Sequence, residues 1–223
     1  MPKVMVLGGH GKVAQLATPL LLDAGHTVTS VIRNPDQEDT IRGLGATPLV
    51  FDVETATQQD FARIFAGQDA IVWAAGAGGG NPARTYAVDR DAAIASMDAA
   101  QGAEAMRYIM ISYHGASLDH GISEESSFFP YAESKAQADE HLMGSDLDWT
   151  ILGPGMLTLE EPSGKIRRIG RQVSEDLAEG ENRDTSRGNV ARAIVAALAS
   201  DTSNQTVVDF VDGDTPINEV FGV

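Results

Sequence analysis

Apolar positions along this chain follow two alternating rhythms. Short runs of strand length recur at Val4–Leu7, Val28–Ile32, Leu49–Phe51, Ala70–Ala75, Tyr108–Ile111, Trp149–Leu152 and Val207–Val211. Between most of them the spacing becomes helical. Val13, Leu16, Ala17, Leu20, Leu21 and Ala24 share one face by the i, i+3, i+4, i+7 offsets, and Ala87–Ala100 and Val190–Leu198 read the same way. Strands alternating with helices predict right-handed βαβ crossovers and a doubly wound, mostly parallel α/β sheet. Pro19 inside the first helix predicts a kink. Residues 156–187 break the rhythm, with many charges and no clear period. They are expected to form an irregular elaboration at the sheet's C-terminal, substrate-side edge, within one domain spanning 1–223.

Composition narrows the partners. The net charge of −16 disfavours nucleic acid and anionic membrane surfaces, both of which repel an acidic protein. Hydrophobic residues make up 43% of the 223, enough for a sizeable core. There is no cysteine, which removes disulfides, thiolate metal sites and cysteine nucleophiles. His10, His26, His114, His120 and His141 form no recognisable metal-ligand spacing, so no metal is expected. The opening MPKVMVLGG is not that of a signal peptide, and no apolar run approaches the length of a membrane span. A cytoplasmic protein acting on a small molecule is the expectation.

The first strand runs directly into GGHGKVA. Gly9, Gly11 and Ala14 give G-x-G-x-x-A, and Gly8, Gly11 and Ala14 give G-x-x-G-x-x-A. In either phase the early glycines permit a tight turn, Gly11 lets a diphosphate approach the backbone, and Ala14 allows close helix–strand packing. His10 lies within the loop, and the helix starting near Lys12 and Val13 offers free N–H groups and its positive end. The second strand ends in SVIRNP, placing Arg33 where an NAD-specific site carries an acid. A guanidinium suits a 2′-phosphate, so NADP is expected over NAD. Asp52, with Val53 beside it, ends the third strand as an acceptor for an adenine amino group or as a helix cap. Ala75, Gly76 and Ala77 leave a side-chain-poor surface where a ribose could lie.

YAESK places Tyr131 and Lys135 at i, i+4 on one helix face. A nearby ammonium favours a phenolate, so Lys135 is expected to lower the tyrosine's pKa and also to reach ribose hydroxyls. Ser112 ends the fifth strand, at the carboxyl edge where open α/β sheets bind ligands, and could hold a substrate carbonyl.

These motifs, together with VDRDAA (88–93), ISYHGA (111–116), SDLDWTILGPG (145–155) and TSRGNVA (185–191), resemble the atypical short-chain dehydrogenase/reductases, in particular their NmrA-like single-domain branch. The resemblance covers nearly the whole chain. It implies a Rossmann fold with an NAD(P) groove, Ser112, Tyr131 and Lys135 as an active-site triad, and Pro154, Gly155 and Met156 lining the nicotinamide site. The chain departs from the family in two places: Gly153 stands where an arginine is frequent, and Tyr113 where a second serine is. Three functions follow: an NADPH-dependent reductase of a small carbonyl, quinone or flavin-like acceptor; a non-catalytic NAD(P)-binding redox sensor; or an enzyme resembling nucleotide-sugar epimerases and dehydratases. The roughly 70 residues after Leu152 are short for the substrate domain that the last implies.

Overall fold

The fold was obtained as a computed structural model, which describes residues 1–78, 80–103, 105–171 and 180–223. In chain order the elements are β1 (Lys3–Leu7), α1 (Lys12–Asp23), β2 (Thr27–Ile32), α2 (Glu38–Gly43), β3 (Thr47–Val50), α3 (Gln58–Phe65), β4 (Ala70–Trp73) and α4 (Pro82–Thr85). A wide π-type turn (Tyr86–Ala92) leads into α5 (Ala93–Gly102), β5 (Arg107–Ile111), α6 (Phe129–Met143), β6 (Asp148–Pro154), β7 (Met156–Thr158) and β8 (Lys165–Ile169). The chain closes with β9 (Asp184–Ser186), α7 (Arg187–Ala199), β10 (Thr206–Asp212), β11 (Thr215–Pro216) and α8 (Ile217–Phe221).

Among the described residues nine strands form the main sheet in the order β3-β2-β1-β4-β5-β6-β10-β8-β11. Neighbours from β3 to β10 are parallel, while β8 runs antiparallel to both β10 and β11. This is the doubly wound Rossmann order. The direction of winding reverses between β1 and β4, which opens a crevice at the carboxyl ends of those strands.

Helices cover both faces, as buried parallel strands require. On one face Leu21, Val190, Ile194 and Phe221 pack against Val4, Val6 and Val72. On the other, Phe61, Phe65, Met97 and Leu142 cover Met5, Trp73, Tyr108 and Ile151. Phe61 anchors an aromatic group there, with ring centroids 5.4 Å from Phe51, 5.7 Å from Phe65 and 6.3 Å from Trp73.

Several expectations are corrected. The third strand starts two residues before its apolar run and ends at Val50, and the fourth ends at Trp73, two residues short of its run, so Phe51, Ala74 and Ala75 lie beyond the sheet. Leu16 is exposed, and the buried face of α1 is Val13, Ala14, Ala17, Thr18 and Leu21. Pro19 lies inside α1 without ending it, and the preceding Thr18 hydroxyl donates to the Ala14 carbonyl at 2.8 Å, so the proline falls where a kink and not a break is expected. The 156–187 stretch holds regular elements where described: β7 and β9 pair in a small parallel sheet, and β8 extends the main one. Its residues 172–179 lie outside the described residues. β8 hid its character because KIRRI puts one isoleucine on each face, Ile166 in the main core and Ile169 against Val211. Neither alternation nor a continuous apolar run results.

Candidate functional site

The turn between β1 and α1 is built by glycines with different duties. Gly8 has φ +81, and a Cβ there would lie 2.6 Å from the Ala75 Cα, so both its backbone and its neighbours exclude a side chain. Gly11 has φ −65 and ψ 150, a conformation open to any residue, and a Cβ would meet the Gly8 carbonyl oxygen at 3.0 Å and the Ala74 carbonyl oxygen at 3.8 Å. Gly11 is the N-cap of α1 but brings no side chain to the helix's first N–H groups, which are left to a ligand or to water. Among the residues expected to hold a cofactor, Gly8, His10, Gly11, Arg33, Asp52, Val53, Ala75 and Gly76 line one cleft of about 290 Å³. Gly9, Lys12, Val13 and Ala77 do not line it, and the Val13 side chain belongs to the core.

Two charged groups that line the cleft beside Arg33, Glu54 and Arg84, were not anticipated. Glu54 Oε2 accepts from Arg84 Nε at 2.9 Å and from Arg33 Nη1 at 3.5 Å. Arg84 also donates to the Ala77 carbonyl at 2.9 Å. Asp52 accepts the Glu54 N–H at 3.1 Å in a local turn and caps no helix, since the N-cap of α3 is Thr57. Glu54 was visible two residues beyond Asp52, and Arg84 at the end of the glycine-rich loop, but only the fold brings them together. Deeper in, Asp89 of the π-type turn is buried and accepts the Ala77 N–H at 3.0 Å.

A second cleft of about 330 Å³ opens beyond β5 and β6. It is lined by Ser112, Tyr113, His114, Phe128, Tyr131, Pro154, Gly155, Met156, Leu157 and Arg183. Ser112 is the first residue past β5, held by its N–H to the Leu152 carbonyl at 2.8 Å. Its Oγ donates to Asp139 Oδ2 at 2.5 Å. The rings of Tyr113, Phe128 and Tyr131 form a triangle with centroids 5.4–5.6 Å apart.

Helix α6 delivers Tyr131, Lys135 and Asp139 at i, i+4 and i+8, one face continued for a further turn. The sequence reading stopped at Lys135 and missed Asp139, although the same spacing pointed to it. Lys135 is buried and donates to the Ile111 carbonyl at 2.6 Å. The expected lowering of the Tyr131 pKa is overturned. Burial holds this phenol above its ordinary value of 10.0, and the charges of Asp89 and Asp139 add to the effect.

Two further carboxyls complete the electrostatics. Burial pushes Asp139 up to about 6, against the opposing pull of Lys135, the Ser112 hydrogen bond and Arg171. Burial likewise pushes Asp209, on β10, up to about 7, with Arg171 opposing. Gly153 faces Asp209 in the β6–β10 register, and a Cβ there would fall 1.9 Å from Asp209 Oδ1. The missing family arginine thus coincides with space taken by a buried acid. A carboxyl held above its unfolded value of 3.8 binds its proton more tightly in the folded chain. Stability should therefore rise as pH falls from about 8 through these folded values toward about 5. Thermal unfolding across that range should show the rise, and Asp209→Asn should flatten it.

Among the described residues no helix is long and apolar enough to cross a membrane.

Comparison with known proteins agrees with this geometry. The model of a family described as NAD(P)H-binding matches residues 8–201. A UPF0659 protein of Schizosaccharomyces pombe is 37% identical over 97% of this chain and 92% of its own length. The solved structure of a Bacillus halodurans protein named for NAD-dependent epimerases/dehydratases superposes with a TM-score of 0.88 at 31% identity, covering 100% of this chain and 99% of that one. The oxidoreductase ylbE of Lactococcus lactis gives a TM-score of 0.81 at 26% identity, over 99% and 95% of the two chains.

Proposed function

The chain belongs to the NAD(P)H-binding family with a Rossmann fold, and on that premise we propose that it is an NADPH-dependent reductase of a small carbonyl, quinone or flavin-like acceptor. The observation that carries this reading is the placement of two unlike clefts at the carboxyl ends of adjacent strands. One, past β1 and β4, is built of glycines and an uncapped helix end; the other, past β5, is aromatic with hydroxyl groups. The first fits a nicotinamide dinucleotide, because the Gly8–Gly11 cradle is where a Cβ would collide or crowd and the α1 N–H groups lack a capping side chain. When bound, the cofactor supplies the two electrons of the reduction as a hydride.

The residues do the rest. Gly8, Gly11 and the α1 N-terminus hold the diphosphate, and Arg33 with Arg84 takes the 2′-phosphate. Pro154, Gly155 and Met156 border the acceptor. Tyr131, whose raised pKa keeps it protonated through the neutral range, stands as proton donor to the acceptor oxygen. Ser112 orients that oxygen, and Lys135 fixes the floor of the site through the Ile111 carbonyl. The aromatic and apolar wall of Tyr113, Phe128, Pro154, Met156 and Leu157 suits a flat conjugated acceptor better than a sugar, whose hydroxyls would meet few polar partners. The name of the Bacillus halodurans structure supports an epimerase-like second reading. Oxidation of NADPH in the presence of quinones, flavins and small aldehydes, measured by loss of reduced-nicotinamide absorbance, tests the reductase; isomerisation of a nucleotide sugar without net cofactor turnover would replace it with the second reading.

Cofactor choice gives a separate prediction. NADPH should bind more tightly than NADH, and Arg33→Ala should remove about ten- to a hundredfold of NADPH affinity, the 1.5–3 kcal/mol of a hydrogen bond to a charged group. Glu54→Gln should do the reverse. Its carboxylate now occupies both arginines and would repel a phosphate beside them. Fluorescence titration of both nucleotides against the three proteins reads this out, and equal affinities for NADPH and NADH in the unmodified protein would sink the assignment of Arg33.

A further inference from the structure

Ser112 has one O–H to give. That proton is committed inward, to Asp139 Oδ2 at 2.5 Å, although Ser112 lines the acceptor cleft. While this bond stands, Ser112 can offer a ligand only lone pairs. It cannot donate to a carbonyl. A protein whose serine must hold a carbonyl therefore needs a way to turn that hydroxyl around.

Asp139 supplies one. It is fully buried, and its Oδ1 has no hydrogen-bond partner among the described residues. A buried carboxylate with an unused acceptor oxygen is costly when charged and less so when protonated. If Asp139 carries the proton, its own O–H can donate to Ser112 Oγ across the same short contact, which releases the Ser112 hydrogen toward the cleft. We propose that Asp139 is a positioning residue that sets the polarity of the Ser112 hydroxyl, so that the cleft takes a ligand carbonyl when Asp139 is neutral and a ligand hydroxyl when it is charged. The cleft then distinguishes the oxidised from the reduced member of a carbonyl–alcohol pair by one bound proton. This rests on the acceptor site assigned above and extends it to the class of ligand oxygen that each protonation state holds.

The surroundings place this switch at an accessible pH. Lys135 on the same helix and Arg171 beyond β8 favour the charged form, while burial opposes it and brings the carboxyl to about 6. The other groups that feel its charge are Asp209 on β10, the Tyr113 phenol past β5 and the Tyr131 phenol on α6, which Asp89 of the π-type turn also influences. The Tyr113 hydroxyl is buried without a hydrogen-bond partner among the described residues, so no neighbouring hydroxyl from that side competes for Asp139.

The test follows the Asp139 carboxyl carbon by NMR against pH in aspartate-labelled protein, alone and loaded with NADPH, with Asp139→Asn to assign the signal. The expected midpoint lies well above 3.8, and Ser112→Ala raises it by roughly one unit, because the bond lost by the charged form is stronger than the one lost by the neutral form. With menadione as the carbonyl probe, kcat/KM should fall as pH rises through that midpoint. Asp139→Asn, which cannot ionise, should lose this dependence. A midpoint near 3.8, or one indifferent to Ser112→Ala, overturns the proposal, as does a pH profile unchanged in Asp139→Asn. Absence of turnover with every acceptor would instead defeat the reductase reading and leave the carboxyl titration to decide the switch.

Discussion

Replacing Tyr131 by phenylalanine is expected to lower acceptor reduction by roughly 10²–10⁴-fold, the contribution of a positioned proton donor, with NADPH affinity nearly unchanged. The substitution removes one hydroxyl and keeps the ring that packs against Tyr113 and Phe128 at 5.6 and 5.4 Å. The fold should therefore be retained, which circular dichroism and a melting curve would verify. The loss should fall on kcat, since the phenol is assigned to proton transfer and not to binding. Lys135→Ala is a poorer probe of the same question. It would break the bond to the Ile111 carbonyl and take a positive charge away from Asp89 and Asp139 at once. Turnover that survives Tyr131→Phe undiminished would remove the tyrosine from the mechanism. A protein that binds NADPH and turns over no acceptor, with or without the substitution, would be read as a sensor.

Gly11→Val is the second large effect. The backbone at Gly11 tolerates any side chain, and the only crowding in the protein itself is the Gly8 carbonyl at 3.0 Å. A branched side chain there would occupy the approach of the diphosphate, so NADPH affinity should fall by ~10²-fold or more while the melting temperature moves little. Gly8→Val provides the contrast. At φ +81, with Ala75 Cα 2.6 Å from the new Cβ, it should destabilise the fold outright. If Gly11→Val unfolds as readily as Gly8→Val, the third glycine of the loop serves the turn and not the ligand.

The two glycines mark how far the sequence can be read. Their spacing after a strand and before a helix announced the loop, because turn geometry and close approach are demands on single residues. That the backbone requires a glycine at position 8 and does not at position 11 depended on φ angles and on the position of Ala75, set by pairing β1 with β4. The sheet was legible for a related reason. Buried parallel strands are apolar on both faces and so appear as continuous runs, as in Val4–Leu7. β8 lacked that signature, since its arginines and single isoleucine per face make sense only beside β10.

The site divides along the same line. By itself the sequence placed Tyr131 and Lys135 on one helix face and Ser112 at a strand end, since periodicity and strand termini are local properties. It could not assign the charge around them. Whether Lys135 lowers the tyrosine's pKa depends on burial and on carboxylates brought from Asp89 and Asp139, and in the folded chain these win. Glu54 meets Arg84, and Asp209 fills the space left by Gly153, across sequence separations that no local pattern records. Local periodicity thus determined the elements and the candidate side chains, whereas proton affinities and hydrogen-bond direction were decided by the tertiary structure, because desolvation and Coulomb interactions depend on distance through space and not along the chain.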